Sequence, residues 1–163
     1  MDTDGGAARP LFVAPGAIVT GDVILDEEVN IWYGAVIRGD RDRISIGRGT
    51  NIQDNAVVHT SRGYPVGVGA YVSVGHGAIL HGCRIADRVL VGMGAIVMNG
   101  ASIGPGSIVG AGAVVTEKTT IPENSVVLGV PGRVVRSTTA EESAHIMRNA
   151  QGYIELARGY LHG

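Results

Sequence analysis

Residues 85–115 read IADRVLVGMGAIVMNGASIGPGSIVGAGAVV, with a Val or Ile at every sixth position. The same step of six continues on both sides, interrupted by three short breaks, and every position of the series is Val, Ile or Leu. The series comprises Val13, Val19, Leu25, Ile31, Ile37, Ile46, Ile52, Val58, Val68, Val74, Leu80, Ile85, Val91, Val97, Ile103, Val109, Val115, Ile121 and Val127. A repeat of fixed period indicates stacked copies of one structural unit.

The residues around each aliphatic indicate short strands separated by tight corners. Two positions earlier stands a small or β-branched residue, such as Ala78, Ala95 or Ala113, and Gly often follows the aliphatic. Strand side chains alternate, so both residues should point inward, and Gly suits a tight corner. The pattern predicts an all-β fold, a parallel β-helix of hexapeptide repeats. Three hexads make one triangular coil, so the chain should form about six coils.

The period changes to three or four near residue 139, which predicts a C-terminal α-helix. Thr139 and Glu142 have the spacing of a capping box. The apolar residues that follow at helical spacing are Ile146, Ala150, Tyr153, Ala157 and Tyr160. An amphipathic helix of this kind packs its apolar side on the rest of the domain. We therefore expect a flexible tail over 1–10, the β-helix over 11–137 and the packed helix over 138–163.

The composition argues against several functions. The net charge is −2 with a pI near 6.2, and Lys and Arg do not cluster, so we expect neither nucleic acid nor a membrane as a partner. No apolar run approaches the roughly 18 residues of a membrane span, and the first residues lack the features of a signal peptide. The single cysteine, Cys83, falls on an inward position and is expected in the core. A cytoplasmic location follows as an expectation.

Face two of the triangular coil should carry a ladder of polar side chains. If the faces are numbered from Val13, the residue after each inward aliphatic of face two points outward. Arg38, His59 and His81 hold this position on consecutive coils and should stack ~5 Å apart. Two stacked histidines suit zinc, which binds imidazole nitrogen at ~2.0–2.1 Å.

A third histidine, His76, falls at a different corner of the coil. It follows the face-one strand that ends at Val74, and Asp54 lies one coil away at the same corner. A prism edge separates His76 from the ladder, so the three rings should not converge within one chain. A neighbouring protomer would have to supply the missing ligand.

An apolar stripe on face two favours contact with another subunit. The outward residues just before its aliphatics are all apolar: Ile18, Val36, Val57, Ile79, Ile96 and Val114. Such a stripe must be covered, either by the C-terminal helix or by another subunit. We expect a subunit on face two and the helix elsewhere; face one, with Phe12 and Trp32 outward, is a candidate for the helix. A closed ring of three protomers is the simplest assembly.

Four segments together resemble the gamma-class carbonic anhydrases of the hexapeptide-repeat superfamily. They are Arg38-Gly39-Asp40, Asn51-Ile52-Gln53-Asp54, His59, and Val74-Gly75-His76-Gly77-Ala78-Ile79-Leu80-His81-Gly82-Cys83. The resemblance implies a left-handed β-helix. The periodicity alone does not show this handedness, because parallel crossovers are usually right-handed.

The resemblance implies a homotrimer with zinc sites at the subunit boundaries. His59 and His81 would come from one protomer and His76 from the next. Three neutral nitrogens leave Zn²⁺ with one open position, the catalytic pattern. The implied reaction is the reversible hydration of carbon dioxide to bicarbonate by a zinc-bound hydroxide. Fe²⁺ or Co²⁺ would also suit imidazole ligands.

The resemblance also implies roles for residues around the metal. Arg38 and Asp40 would form an ion pair between subunits. Gln53 would orient the zinc-bound water or hydroxide. Asn51 and Asp54 match motif positions that line the site.

The chain departs from the fully active members of that family where protons leave the site. Those members carry a glutamate directly after the Arg-Gly-Asp and an acidic loop, whereas Arg41 follows Asp40 here and the insertion over 61–65 has no carboxylate. Activity is therefore expected to be weak and to need buffer for proton transfer. Tyr153, on the C-terminal helix, is a candidate for the tyrosine that approaches the zinc from a neighbour.

Two other functional classes stay open. One is an acyltransferase or acyl-CoA thioesterase, since Gly129-Val130-Pro131-Gly132-Arg133 after the last coil is similar to the acyltransferases of this fold. Those enzymes use one catalytic His rather than three metal ligands. The other is a homologue that binds metal without turnover. His145 and His162 lie outside the repeat and are expected at the surface.

Overall fold

The computed structural model describes residues 9–161. Its strands, in chain order, are β1 Phe12–Val13, β2 Ile18–Leu25, β3 Asn30–Ile31, β4 Val36–Ile46, β5 Asn51–Ile52, β6 Val57–His59, β7 Val66–Val68, β8 Ser73–Val74, β9 Ile79–His81, β10 Arg84–Ile85, β11 Leu90–Val91, β12 Ile96–Val97, β13 Ser102–Ile103, β14 Ile108–Val109, β15 Val114–Val115, β16 Thr120–Ile121, β17 Ser125–Leu128 and β18 Arg133–Ser137. Helix α1 follows over Ala140–Leu161. Residues 1–8 of the expected tail, and His162 and Gly163, lie outside the described residues.

Apart from β18, which pairs antiparallel with β17, the strands stack in parallel into three faces of a prism. Face one is the series β1, β3, β5, β8, β11, β14 and β17. Face two runs from the first parts of β2 and β4 through β6, β9 and β12 to β15, and face three runs from their later parts through β7, β10 and β13 to β16. The register sets each inward aliphatic beside its counterpart one coil away, for example Val58 beside Leu80. The parallel β-helix predicted from the repeat is confirmed.

The core is a single column of aliphatic side chains. From Ile31 to Val127 the inward aliphatics of the repeat are between 0% and 5% exposed. The small residues two positions earlier, such as Ala56 and Ala78, are fully buried between them. Burying one Val, Leu or Ile side chain stabilises a fold by about 1.5–3 kcal/mol relative to leaving it exposed. The repeated burial of these side chains is what holds the coils together.

The first coil departs from the expected burial. Val13 is 41% exposed and Val19 is 37% exposed, although both belong to the inward series. Within residues 9–161 no coil stacks in front of them, so their side chains lie at the open end of the column. The repeat therefore predicts the direction of a side chain, whereas its burial requires a coil on each side.

Close stacking of the corners explains the glycines that follow many aliphatics. At Gly92, a Cβ atom would lie 2.5 Å from the backbone nitrogen of Ala111 in the next coil. Real Cβ atoms do not approach a backbone atom that closely, so a side chain there would push the two coils apart. The distance between coils therefore requires glycine at this position.

Helix α1 packs on face one, where it contacts β1, β3, β5 and β8. The backbone nitrogen of Glu142 donates to Thr139 Oγ1 at 3.1 Å, and that of Thr139 donates to the Glu142 carboxylate at 2.9 Å. The predicted capping box is confirmed. The helix begins at Ala140 because this reciprocal pair satisfies its first backbone donors. Its place on face one agrees with the expectation that face two is left for another contact.

The buried side of α1 differs in part from the predicted stripe. Its buried residues are Ile146, Ala150, Ile154 and Ala157. Tyr160 is 50% exposed, so its predicted burial is wrong. Its ring packs edge-on against Trp32, with 5.4 Å between the ring centroids, and also contacts the rings of Phe12 and Tyr33.

Candidate metal centre

The predicted ladder on face two is present. Arg38 on β4 pairs in register with His59 on β6, and His59 pairs in register with His81 on β9. Both histidines follow an inward aliphatic, so their rings lie on the outer surface of the coil. Arg38, His59 and His81 thus occupy three consecutive coils of one face, as the repeat predicts.

The two imidazole rings face each other through one nitrogen each. His59 Nδ1 and His81 Nε2 are 3.1 Å apart. Two nitrogens that bind the same tetrahedral zinc ion at ~2.0–2.1 Å are roughly 3.3 Å from each other. The pair therefore has the spacing of two ligands of one ion.

The second nitrogen of each ring already has an oxygen partner. His59 Nε2 lies 2.9 Å from Asp40 Oδ1, and His81 Nδ1 lies 2.8 Å from Asn99 Oδ1. If these outer nitrogens carry the protons of two neutral rings, each inner nitrogen keeps a lone pair for a metal ion. Metal-binding histidines commonly have such outer partners. The donor set fits a metal ion that binds imidazole.

Asn99 is a site residue that sequence reasoning missed. It belongs to none of the motifs that carry the family resemblance. A usable signal lies in the register, because β9 and β12 pair Leu80 with Val97. Asn99, two residues after Val97, therefore comes to lie beside His81 and Gly82. Counting from the inward series places its backbone beside that corner, but it does not give the contact of its side chain with His81.

Arg38 and Asp40 form an ion pair inside one chain. Within one chain the two side chains already contact each other, and the pair between subunits that the resemblance implies stays a prediction. The Asp40 carboxylate also accepts from His59. The hydrogen bond with His59, and after it the contact with Arg38, lowers the pKa of Asp40 below its ordinary value. Asp40 is therefore charged at neutral pH and can accept a hydrogen bond from Nε2 of His59.

His76, Asp54, Gln53 and Asn51 come together at the corner that follows face one. His76 Nδ1 lies 3.0 Å from Asp54 Oδ2, which confirms that the two residues share a corner. Gln53 Nε2 donates to Asn51 Oδ1 at 3.0 Å, and Asn51 Nδ2 donates to Ser73 Oγ at 2.8 Å. Asn51 is fully buried. It was expected to line the site, but it lies behind Gln53 and holds that amide in place.

Tyr153 of α1 lies on the same side as this corner. With Gln53 and His76 it lines a groove of about 390 Å³ whose floor includes Leu90 and Ile108. Burial, and then the charge of Asp54, raises the pKa of Tyr153 above its ordinary value. The hydroxyl is therefore protonated at neutral pH and available as a donor.

The site residues form two groups on one chain. The ladder group consists of Arg38, Asp40, His59, His81 and Asn99; the corner group consists of Asn51, Gln53, Asp54, His76 and Tyr153. Among residues 9–161, no three His, Cys, Asp or Glu side chains are arranged to hold a metal ion together. Two ligands thus belong to the ladder group, and His76 belongs to the corner group on another face.

The remaining candidates have other surroundings. His145 is exposed on α1, as expected. Cys83 is 1% exposed and is part of the core. Burial raises the pKa of its thiol to about 12. Cys83 is therefore a packing residue and not a reactive thiol, as the inward position predicts.

Comparison with known proteins agrees with this arrangement. A family model described as "Bacterial transferase hexapeptide (six repeats)" matches residues 82–117. A Methanocaldococcus jannaschii protein named "Probable carbonic anhydrase" is 59% identical over 92% of this chain and 94% of its own length. "Gamma carbonic anhydrase 1, mitochondrial" of Arabidopsis thaliana is 43% identical over 93% of this chain, which spans 58% of that relative. The chain belongs to the gamma carbonic anhydrase family.

Solved structures place this gamma carbonic anhydrase family member in a wider fold group. A hexapeptide transferase family protein from Anaplasma phagocytophilum is 38% identical, with a TM-score of 0.82 over 94% of this chain and 93% of its own. The architecture is therefore shared with proteins described as transferases, and the ligand groups rather than the fold bear on function. In the part of the chain that is described, no helix has the length and apolar character to cross a bilayer.

Proposed function

We propose that this protein is a zinc-dependent carbonic anhydrase that hydrates carbon dioxide reversibly to bicarbonate. The observation that carries the proposal is the 3.1 Å separation of His59 Nδ1 and His81 Nε2, with the other nitrogen of each ring beside an oxygen. His76 would be the third ligand, supplied by a neighbouring protomer. Fe²⁺ and Co²⁺ also fit a site of three imidazoles.

The surface of face two supports a homotrimer as the assembly that completes the site. Ile18 is 53% exposed, and the five further apolar residues of the stripe are partly exposed. Because α1 contacts face one, no element within residues 9–161 covers this stripe. A protomer that covers it would bring its own corner group towards the ladder group. Burial of the stripe and completion of the metal site would then occur in one step.

The residues of both groups have separable tasks in this proposal. Bound zinc supplies Lewis acidity that makes hydroxide available from water at neutral pH, as is known for carbonic anhydrases as a class. The carboxylate of Asp54 accepts from His76 Nδ1, which leaves Nε2 for the metal. Gln53, held by Asn51, presents its amide to the attacking oxygen. Tyr153 donates from the wall of the groove.

We propose that the release of protons to solvent limits the turnover of this enzyme. Arg41 is exposed directly after Asp40, and the insertion over 61–65 carries no carboxylate. A general base near the site would normally take the proton. We therefore expect turnover to depend strongly on the concentration of an external buffer.

The deciding experiment combines three measurements on the purified protein. We expect about one zinc ion per chain by elemental analysis, a trimer by light scattering, and carbon dioxide hydration above background by stopped flow at pH 8 in strong buffer. A zinc-loaded trimer that shows no rate above background would remove the enzymatic proposal and leave a metal-binding protein.

Sharing of ligands between protomers has its own test. A His76→Ala variant keeps an intact ladder, and a His59→Ala variant keeps an intact corner group. Mixed trimers of the two variants should regain zinc at the boundaries where an intact ladder meets an intact corner. Absence of zinc from verified mixed trimers would contradict the shared site.

Acyl transfer is the alternative that the family model and the groove beside His76 favour. In that reaction His76 would act as a general base, without metal, towards a substrate in the groove. Incubation with acetyl-CoA and simple amine or water acceptors separates the two proposals. Release of CoA that persists after removal of metal by a chelator would favour acyl transfer or thioester hydrolysis.

A further inference from the structure

We propose that Asn99 is a positioning residue that selects the metal-binding tautomer of His81, and that the short insertion over 61–65 holds Asn99 in place. The inference rests on the proposed metal site, because it assigns a partner to one of its ligands. Asn99 Oδ1 lies 2.8 Å from His81 Nδ1. An amide oxygen only accepts, so this contact keeps the proton of a neutral His81 on Nδ1. Nε2, which faces His59, is then free to bind a metal ion.

The space that Asn99 occupies exists because residue 82 is glycine. A Cβ atom on Gly82 would collide with Asn99 Oδ1 and would lie 2.7 Å from Cβ of Tyr64. Gly82 also has a positive φ of 57°, a conformation that glycine adopts without strain. The close contacts and the positive φ at position 82 therefore both require glycine. Its missing side chain leaves the room through which Asn99 reaches the ring.

The direction of the Asn99 amide decides the outcome at His81. With Oδ1 towards His81, Asn99 Nδ2 points to Ser61 Oγ at 3.5 Å, a long contact. If the amide were turned over, its NH₂ group would face Nδ1 and require a lone pair there. The proton of His81 would then sit on Nε2, and the ring could not bind metal through that atom. In this direction Ser61 Oγ accepts from the NH₂ side, and the contact of Oδ1 with His81 Nδ1 is the shorter of the two that the amide makes.

The insertion that carries Ser61 is fixed to the β-helix by Asp42. The backbone nitrogen of Asp42 donates to Thr60 Oγ1 at 3.0 Å, and the backbone nitrogen of Gly63 donates to Asp42 Oδ2 at 3.1 Å. Ser61 and Tyr64 form a bridge across the turn between them. The loop is therefore held rigidly over Gly82 and Asn99. The insertion over 61–65, which has no carboxylate, therefore positions Asn99 and does not transfer protons.

The tautomer of His81 is measurable without any assay of activity. Long-range ¹H–¹⁵N correlation spectra of ¹⁵N-histidine-labelled, full-length protein report which ring nitrogen carries the proton, in the zinc-loaded and the zinc-free state. We expect His81 to be protonated on Nδ1 in both states. In Asn99→Leu, the zinc-free protein should lose this preference, whereas Asn99→Asp, which keeps an acceptor, should retain it. A wild-type, zinc-free His81 that is protonated on Nε2 would overturn the inference.

Zinc affinity gives the second readout. By competition with a chromophoric chelator, Asn99→Leu should bind zinc 10–100-fold more weakly, the usual cost of losing the outer partner of a metal-binding histidine, and Asn99→Asp should stay close to wild type. Asn124→Leu is a matched control, because Asn124 lies over Gly106 at a corner of the last coil. Asn124 has a positive φ of 52°, so Asn124→Leu should destabilise the fold more than Asn99→Leu does. Unchanged affinity in Asn99→Leu would overturn the inference.

The outcomes separate this inference from the proposed function. A wild-type protein that binds no zinc contradicts the proposed metal site, whatever the tautomer of His81. A zinc-loaded wild type that lacks carbon dioxide hydration contradicts the proposed activity only. A rescue of both tautomer and affinity by Asn99→Asp but not by Asn99→Leu supports the role of Asn99 in either case.

Discussion

Gln53 is held by a relay of buried amides and hydroxyls. Its Nε2 donates to Asn51, which donates in turn to Ser73. Asn51 is 0% exposed and Ser73 is 1% exposed, so water cannot replace either partner. A buried polar group that loses its partner keeps its full cost of desolvation. At the scale of the residue, the direction of the Gln53 amide is therefore set by Asn51, a fully buried side chain behind it.

Replacement of Asn51 by Ala should affect both stability and turnover. We expect the free energy of unfolding to fall by about 1–3 kcal/mol, because Gln53 and Ser73 lose a buried partner. Carbon dioxide hydration should fall as well, because the Gln53 amide loses the partner that fixes its direction. Urea unfolding and stopped flow measure the two effects.

Asn30→Ala is the matched control for that change. Asn30 is equally buried, one coil away on the same face, and accepts from Trp32 Nε1. It should cost comparable stability and leave the rate intact. Equal losses of rate in the two variants would show that Asn51 acts only through stability.

Cys83 should be chemically inert in the folded protein. Its pKa of about 12 leaves almost no thiolate at pH 8, and its side chain is 1% exposed. Thiolate is the reactive form, so modification by a thiol reagent should require unfolding. Labelling with increasing urea should follow the unfolding curve. A Ser102→Cys, Cys83→Ala variant, with the thiol on face three, should react without urea; rapid labelling of native Cys83 would refute the assignment.

At the scale of the element, α1 depends on its N-terminal cap. Glu142 accepts from Thr139 and forms two contacts with Arg136 at 2.7 and 2.8 Å. The hydrogen bond from Arg136, and then that from Thr139, lowers the pKa of Glu142 from 4.5 to about 2. The cap thus connects β18 with α1. The same helix carries Tyr153 of the corner group.

Acid should weaken this cap in a defined window. Because the pKa of Glu142 is lower in the folded than in the unfolded state, its charge stabilises the fold above pH 4.5, and this contribution is lost as the pH falls towards 2. The difference in stability between wild type and Glu142→Gln should therefore be largest above pH 5 and shrink towards pH 2. Chemical unfolding followed by circular dichroism across this range measures it. Glu141→Gln removes the same charge one residue earlier, outside the cap, and is the matched control.

At the scale of the whole molecule, the apolar stripe of face two connects assembly with metal binding. Ile96→Glu places a charge in the centre of the stripe, where burial against a partner would leave it unpaired. We expect monomers by light scattering and loss of most bound zinc, with the β-helix retained by circular dichroism. Ser102→Glu is the control, because residue 102 has the same position in the hexad on face three. Ile96→Glu trimers with full zinc would contradict an assembly through face two.

The sequence alone predicts the ladder of Arg38, His59 and His81 and the meeting of Asp54 with His76. Both follow from counting, because a residue one coil away has the same place in the period. Counting fails where a side chain reaches sideways. Asn99 crosses to His81 over Gly82, and Asn51 turns back behind Gln53, so their roles depend on rotamers and hydrogen bonds that no period encodes.

The repeat by itself determined which side chains point into the column, which point outward and on which face each histidine lies. This holds because every coil places its residues by the same rule, whatever its neighbours are. The tertiary structure alone decided which nitrogens face each other at 3.1 Å and which oxygens hold the remaining ones. Those outcomes depend on packing between coils and on the space that one missing side chain leaves, which are properties of the folded chain in three dimensions.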